Sequence, residues 1–147
     1  MHYSIKTTNK LSANIKLPAS KSISNRALVL HALAKGSSIP QNLSDCDDTD
    51  VMIRALDRLP PHIDIKAAGT AMRFLTALLS VTPGTRLITG TERMRQRPIR
   101  LLVDALRTLG ADIVYAENEG FPPLRITGKT LQSNPITLAG NVSSQYI

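Results

Sequence analysis

Two spacings of apolar residues alternate along the chain. From Ser12 to Leu17 every second position is apolar (Ala13, Ile15, Leu17), which predicts a half-buried strand. Beyond PASKS the spacing widens to that of a helix, from about Ser24 to Ala34, with Gly36 as its C-cap. An extended piece, SIPQNL, follows. The acidic run SDCDDTD then supplies N-cap oxygens for a helix from about Thr49 to Leu59, ended by Pro60 and Pro61. HIDIK alternates as a strand does, and AAGTAMRFLTALLSV reads as a turn entering a helix that stops at Pro83-Gly84. TRLITG is a further strand and TERMRQRP a basic loop. Pro98 suits the first turn of a helix running to Leu109, with Gly110 after it. ADIVYAE, LRITG and PITLAG predict three more strands.

Strands alternating with helices, and strand pairs towards the end, place the chain in the α/β class. Two helices are apolar on nearly every side, one through Ile23, Ala27, Leu28, Leu30 and Leu33, the other through Met72, Leu75, Leu78 and Leu79. Such helices are expected inside, covered by sheets. A strand, a small polar turn and a helix recur at PASKSISN, AAGTAMRF and GNVSSQYI. The third copy opens a helix that the sequence does not continue, so the chain is expected to be part of a larger protein.

Composition narrows the partners. The 147 residues carry a net charge of +7, and 42% are hydrophobic, enough for one domain with a core. Aromatic residues are only 3% and scattered, so the stacking platforms of a single-strand nucleic-acid binder are missing; small anions suit the charge better. Cys46 is the single cysteine, which leaves no internal disulfide and points to a reducing compartment. MHYSIKTTNK lacks the apolar run of a signal peptide, and no apolar stretch is long enough to cross a bilayer. A cytoplasmic location is expected.

The candidate chemistry lies at the helix starts. Unpaired N–H groups make a helix N-terminus partly positive, so cations are disfavoured there unless something negative arrives. Lys21, Ser22 and Arg26 sit at the start of the first helix. Each alone fits a solvated charge or a cap; together they fit a phosphate or carboxylate, gripped by a guanidinium fork and a compact ammonium. Gly69 permits close approach of a ligand, Thr70 can cap, and Arg73 interrupts an apolar helix, where it can also pair with a carboxylate such as Asp48. Arg93, Arg95, Arg97 and Arg100 crowd one loop, and Pro98 holds Arg97 extended, which singles it out. Ser143, Ser144 and Gln145 bring hydroxyls and an amide to the third start. Asp45, Asp47, Asp48 and Asp50 lack the glycine and distal glutamate of a calcium loop, and His2, His31, His62 and Cys46 lack ligand spacing, so no metal is expected.

LPASKSISNRALVLHALAKG, DDTDVMIRAL, AAGTAMRFLTALL, TGTERMRQRPI, LVDALRTLGA and VSSQ, in that order, resemble the N-terminal part of the 5-enolpyruvylshikimate-3-phosphate synthase family. The resemblance implies repeated βαβαββ units with buried parallel helices covered by sheets, here an incomplete N-terminal lobe of a two-lobed enzyme. Residues 1–16 would pack with the absent lobe. It implies transfer of the enolpyruvyl group of phosphoenolpyruvate to the 5-hydroxyl of shikimate 3-phosphate, through a tetrahedral intermediate and without metal or organic cofactor. Lys21 would touch both substrates, Ser22 and Arg26 would hold shikimate 3-phosphate, and Gly69 and Arg97 would lie against phosphoenolpyruvate. Ser143, Ser144 and Gln145 would bind shikimate 3-phosphate, with Gln145 reaching towards phosphoenolpyruvate. The general base belongs to the absent lobe, so this chain alone is expected to be inactive, and the full-length enzyme to be monomeric and inhibited by glyphosate.

Two residues depart from the family pattern: Ala67 stands where many members have Asn, and Phe74 where many have Pro. The related UDP-N-acetylglucosamine enolpyruvyl transferases have Asn after the Lys and a loop Cys in most members; Ser22 and TERMRQRP fit neither. A non-catalytic module binding anions or nucleic acid is the alternative that would leave the chain complete as it stands.

Overall fold

A computed structural model describes residues 2–4, 6, 10, 12–36 and 38–138. Among these residues five helices and four strands follow one another as α1 (Lys21–Leu33), α2 (Asp47–Arg58), β1 (His62–Asp64), α3 (Gly69–Val81), β2 (Gly84–Thr89), α4 (Glu92–Arg95), α5 (Arg100–Thr108), β3 (Asp112–Tyr115) and β4 (Leu124–Gly128). The strands form one mixed sheet in the order β1-β2-β4-β3. β1 and β2 run parallel, joined by α3 as the crossover, and β4 pairs antiparallel with both β2 and β3.

Alternation along each strand sends one row of side chains inward. Ile63 is opposite Ile88, Ile88 opposite Leu124, and Leu124 opposite Tyr115, so four buried apolar residues cross the sheet in one line. Onto that face α3 packs through Leu75, Leu78 and Leu79, with α5 beside it and α1 and α2 on its other flank. Its buried hydroxyls are silenced locally: Thr76 Oγ1 donates to Met72 O (2.7 Å) and Ser80 Oγ to Thr76 O (2.8 Å). At the far end, a Cβ on Gly128 would collide with the carbonyl of Thr82, so only glycine lets β4 close against the end of α3.

The α/β class and the sequence β1–α3–β2–α5–β3–β4 agree with the expected βαβαββ unit. Several details differ. Ser12–Leu17 joins no strand; Ile15 and Leu17 are 74% and 80% exposed. Alternation states which face a strand would bury but supplies no ladder partner, and the four-stranded sheet offers none to this segment. Residues 135–138 likewise stay outside the sheet, running beside α5, while 139–140 lie outside the described residues.

Of the two helices expected inside, α3 is buried and α1 is only half so. Leu28 is 2% exposed, but Ile23, Leu30 and Leu33 are 71%, 66% and 53% exposed. Periodicity detects an all-round apolar helix; how many neighbours it meets depends on the elements present. The helix also starts earlier than predicted, because Ser20 caps it: its Oγ accepts from Ile23 N (3.4 Å), which makes Lys21 the first helical residue. It ends one step earlier too. Lys35 takes the left-handed turn (φ 51°), and Gly36 N donates to His31 O (3.0 Å) while its bare Cα admits the His31 ring. Pro98 precedes α5 rather than opening it, with Ile99 as N-cap. Part of the basic loop is the single turn α4, capped by Thr91 Oγ1 on Met94 N (3.3 Å).

Candidate active site

The start of α3 is the centre of the cationic region. Asp64 prepares it: its carboxylate accepts from Lys66 N (2.9 Å) and Lys66 Nζ (2.8 Å), which braces a turn in which Lys66 is left-handed (φ 54°). The Lys66 side-chain hydrogen bond, helped by that of its backbone, holds the Asp64 carboxyl below the usual carboxylate range. The turn delivers Ala67, Ala68 and Gly69 to the first N–H groups of α3. Ala68 is the N-cap, so these donors receive no side-chain cap, and Thr70 lies inside the helix instead of capping it.

Over this helix start lies Arg97. A Cβ built on Gly69 would stand 2.6 Å from Arg97 Nη1 and 3.3 Å from Arg73 Nη1, so two guanidinium groups converge on the one residue without a side chain. Arg73 Nη1 donates to Gly69 O (2.9 Å), while Asp48 pairs with Lys21. A hollow of about 420 Å³ is lined by Ala67, Thr91, Arg93, Met94 and Arg97. Arg93 and Arg97 make its walls positive, and Ala67 at its edge leads into the start of α3, a setting that favours a bound anion.

Lys21, Ser22 and Arg26 share the exposed first turns of α1. Lys21 Nζ lies 3.6 Å from Asp48 Oδ2, at the start of α2. Arg26 Nη1 donates to Ser22 O (3.4 Å), and its guanidinium stands 5.7 Å from the centre of the Phe74 ring on α3. Phe74 therefore links the first cluster to the helix that carries the second. A buried polar seam joins α1 to α2: Ser44 N donates to Ser24 Oγ (2.8 Å) and Thr49 Oγ1 to Asn25 Oδ1 (3.0 Å). It sets the two helix starts side by side. Cys46 stands at the N-cap of α2 with no side-chain cap bond, so the oxygens expected of the acidic run do not cap this helix. Burial raises its thiol, but hydrogen bonds with Ser44 and Thr49 outweigh this and bring it below the ordinary value. Asp47, Asp48 and Asp50 fill the first turn of α2, where negative charge complements the helix dipole.

Ser143, Ser144 and Gln145 lie outside the described residues. Gly69 and Arg97 are brought together, while Lys21, Ser22 and Arg26 form a neighbouring group. Sequence reading missed Met94 as a wall of the hollow, Asp48 as the partner of Lys21 and Glu117 as that of Arg95 (3.1 Å). Only the acidic residues could have been suspected, as counter-charges of unknown address.

A mixed sheet, a buried crossover helix and arginines over that helix's start define an α/β protein of the enolpyruvyl transferase type. The fold is similar to that of EPSP synthase from Acinetobacter baumannii, with a TM-score of 0.76 over 90% of this chain and 36% of that one, at 22% identity. A family model for EPSP synthase (3-phosphoshikimate 1-carboxyvinyltransferase) matches residues 5–64 and 60–147, and the chain belongs to that family. It is 66% identical over 147 residues to a 3-phosphoshikimate 1-carboxyvinyltransferase of Bacteroides fragilis, covering all of this chain and 36% of that protein. To the protein of that name from Paraburkholderia phytofirmans it is 45% identical over 163 residues, covering 95% of this chain and 38% of that one. The chain thus spans little more than a third of these relatives.

Proposed function

We propose that this chain is the N-terminal lobe portion of an enzyme that moves the enolpyruvyl group of phosphoenolpyruvate onto the 5-hydroxyl of shikimate 3-phosphate, releasing phosphate. The observation that carries the reading is Arg97 standing over Gly69 at the start of α3, beside a hollow with positive walls. Phosphoenolpyruvate brings a phosphate and a carboxylate; the guanidinium of Arg97 and the helix N–H groups supply charge-assisted donors to one such group, and Gly69 leaves room for it. Lys21, Ser22 and Arg26 then hold shikimate 3-phosphate, joined by Ser143, Ser144 and Gln145, with Lys21 and Gln145 reaching both substrates.

These groups bind, orient and screen charge. Two anions repel each other in water, and a cationic cleft removes that repulsion while fixing the hydroxyl near the enol carbon. Proton transfer needs a base at the reacting carbon and hydroxyl, which the reading assigns to the second lobe together with the packing of residues 1–16. The enzyme is cytoplasmic, monomeric and independent of metal or cofactor in this account.

Titration calorimetry tests it on the isolated chain. Shikimate 3-phosphate binds measurably, oligonucleotides bind weakly with steep loss in salt, and no phosphate is released from the substrate pair. Tight, salt-resistant oligonucleotide binding, or turnover by these 147 residues, overturns the reading.

A further inference from the structure

Four arginines fall within eight residues, Arg93 to Arg100, yet the fold treats them differently. The turn between β3 and β4 carries Glu117 and Glu119. Arg95 Nη1 donates to both oxygens of Glu117 (3.1 and 3.3 Å), and Arg100 Nη1 to Glu119 Oε1 (3.5 Å). Glu119 also lies 3.9 Å from Arg107, whose Nη2 donates to Ile113 O (2.7 Å) at the root of the same turn. The backbone joins in: Ile99 N donates to Gly120 O (2.9 Å), with Ile99 buried. Among the described residues, no carboxylate pairs with Arg93 or Arg97, the two that line the hollow.

We infer that residues 117–120 form an acidic strap that sorts these arginines, with Glu117 as a positioning residue for Arg97. Two consequences follow from the geometry. Neutralising Arg95 and Arg100 removes rival anchors, so an incoming anion is drawn to Arg93 and Arg97 and not to the outer side of the loop. Tethering Arg95, the last residue of α4, also fixes the pitch of the turn from which Arg97 departs, since Arg97 N donates to Met94 O (3.0 Å) and Met94 is buried. The Arg95–Glu117 pair is about half exposed (41% and 48%), so its contribution to global stability is small. Its effect belongs to binding.

The inference rests on the reading above that Arg97 holds phosphoenolpyruvate, and the experiment separates the two. In the full-length enzyme, steady-state kinetics are measured with phosphoenolpyruvate varied and shikimate 3-phosphate saturating, together with Tm. Glu117→Gln is expected to raise the phosphoenolpyruvate KM about threefold to fivefold, with kcat and Tm unchanged. The exchanged pair Arg95→Glu with Glu117→Arg returns KM to near the original value. Arg97→Ala serves as the control and raises KM more than either. If Arg97→Ala raises KM while Glu117→Gln leaves it unchanged, or if the exchanged pair stays as weak as Glu117→Gln, the strap is overturned. If Arg97→Ala itself leaves KM unchanged, the placement of phosphoenolpyruvate fails instead. A fall in Tm with an equal fall in kcat for Glu117→Gln marks a merely structural residue and also overturns the strap.

Discussion

At Gly69 the difference between hydrogen and methyl sets how much room remains under Arg97. An added Cβ would meet the Arg97 guanidinium at 2.6 Å, closer than such atoms approach, so the side chain must move off the helix start. If Gly69 lies against phosphoenolpyruvate as proposed, Gly69→Ala in the full-length enzyme should raise the KM for phosphoenolpyruvate and lower sensitivity to glyphosate, read as a rightward shift in the inhibition curve. An unchanged curve would place Gly69 elsewhere. Asp64 is a second residue with a measurable consequence. Its folded pKa lies below the unfolded one, so the stabilisation is present above the ordinary carboxylate range and is lost as pH falls through the folded value. Asp64→Asn should flatten the acid limb of stability, followed by urea denaturation at stepped pH, and leave neutral-to-alkaline differences constant. Lys21 and Arg26 were legible as candidate anion ligands because cations at a helix start oppose the dipole, Gly69 because it admits close approach, and Arg97 because Pro98 holds it extended. Asp48 and Glu117 were not, because a carboxylate's partner is set by which loops meet.

Among the elements, α1 and α3 have similar composition and different fates. α3 meets the sheet, α5, α1 and α2, and Leu75 is fully buried; α1 has a free side bearing Ile23, Leu30 and Leu33. Removing buried methylenes costs transfer energy plus a cavity, about 2–5 kcal/mol for Leu→Ala, whereas exposed positions change stability by about 0.5 kcal/mol or less. Leu28→Ala should thus cost several-fold more than Leu30→Ala in chemical denaturation of the chain. Equal costs would mean that the outer side of α1 is covered. The strands β1 to β4 were readable from alternation and turn residues. The one-turn helix α4 was hidden, since a single turn is too short to show a period and rests on the Thr91 cap and the burial of Met94.

For the whole molecule, the reading as one portion of a two-lobed enzyme bears on residues 1–16 and the segment that follows them. Ile15 and Leu17 are exposed and join no strand among the described residues, although their pattern is that of a half-buried strand. If they pack with a second lobe, limited proteolysis should cut the isolated chain between Lys10 and Leu17, and the same bonds should resist cleavage in the full-length enzyme. Equal cutting in both would detach this segment from the lobe contact.

From residue order alone came the α/β class, the helix starts that gather positive charge, and the glycine and arginines suited to an anion, while the ordered motifs carried the family resemblance. The first three depend on short-range physics: side-chain period, capping, proline's fixed angle and the dipole of a helix end. Chain folding in three dimensions decided which apolar helix is buried, which strand finds a partner, and which two of four neighbouring arginines line the hollow. Those outcomes depend on contacts between residues far apart in the chain, such as Glu117 with Arg95 and Phe74 with Arg26, and no local pattern encodes the address of a distant partner.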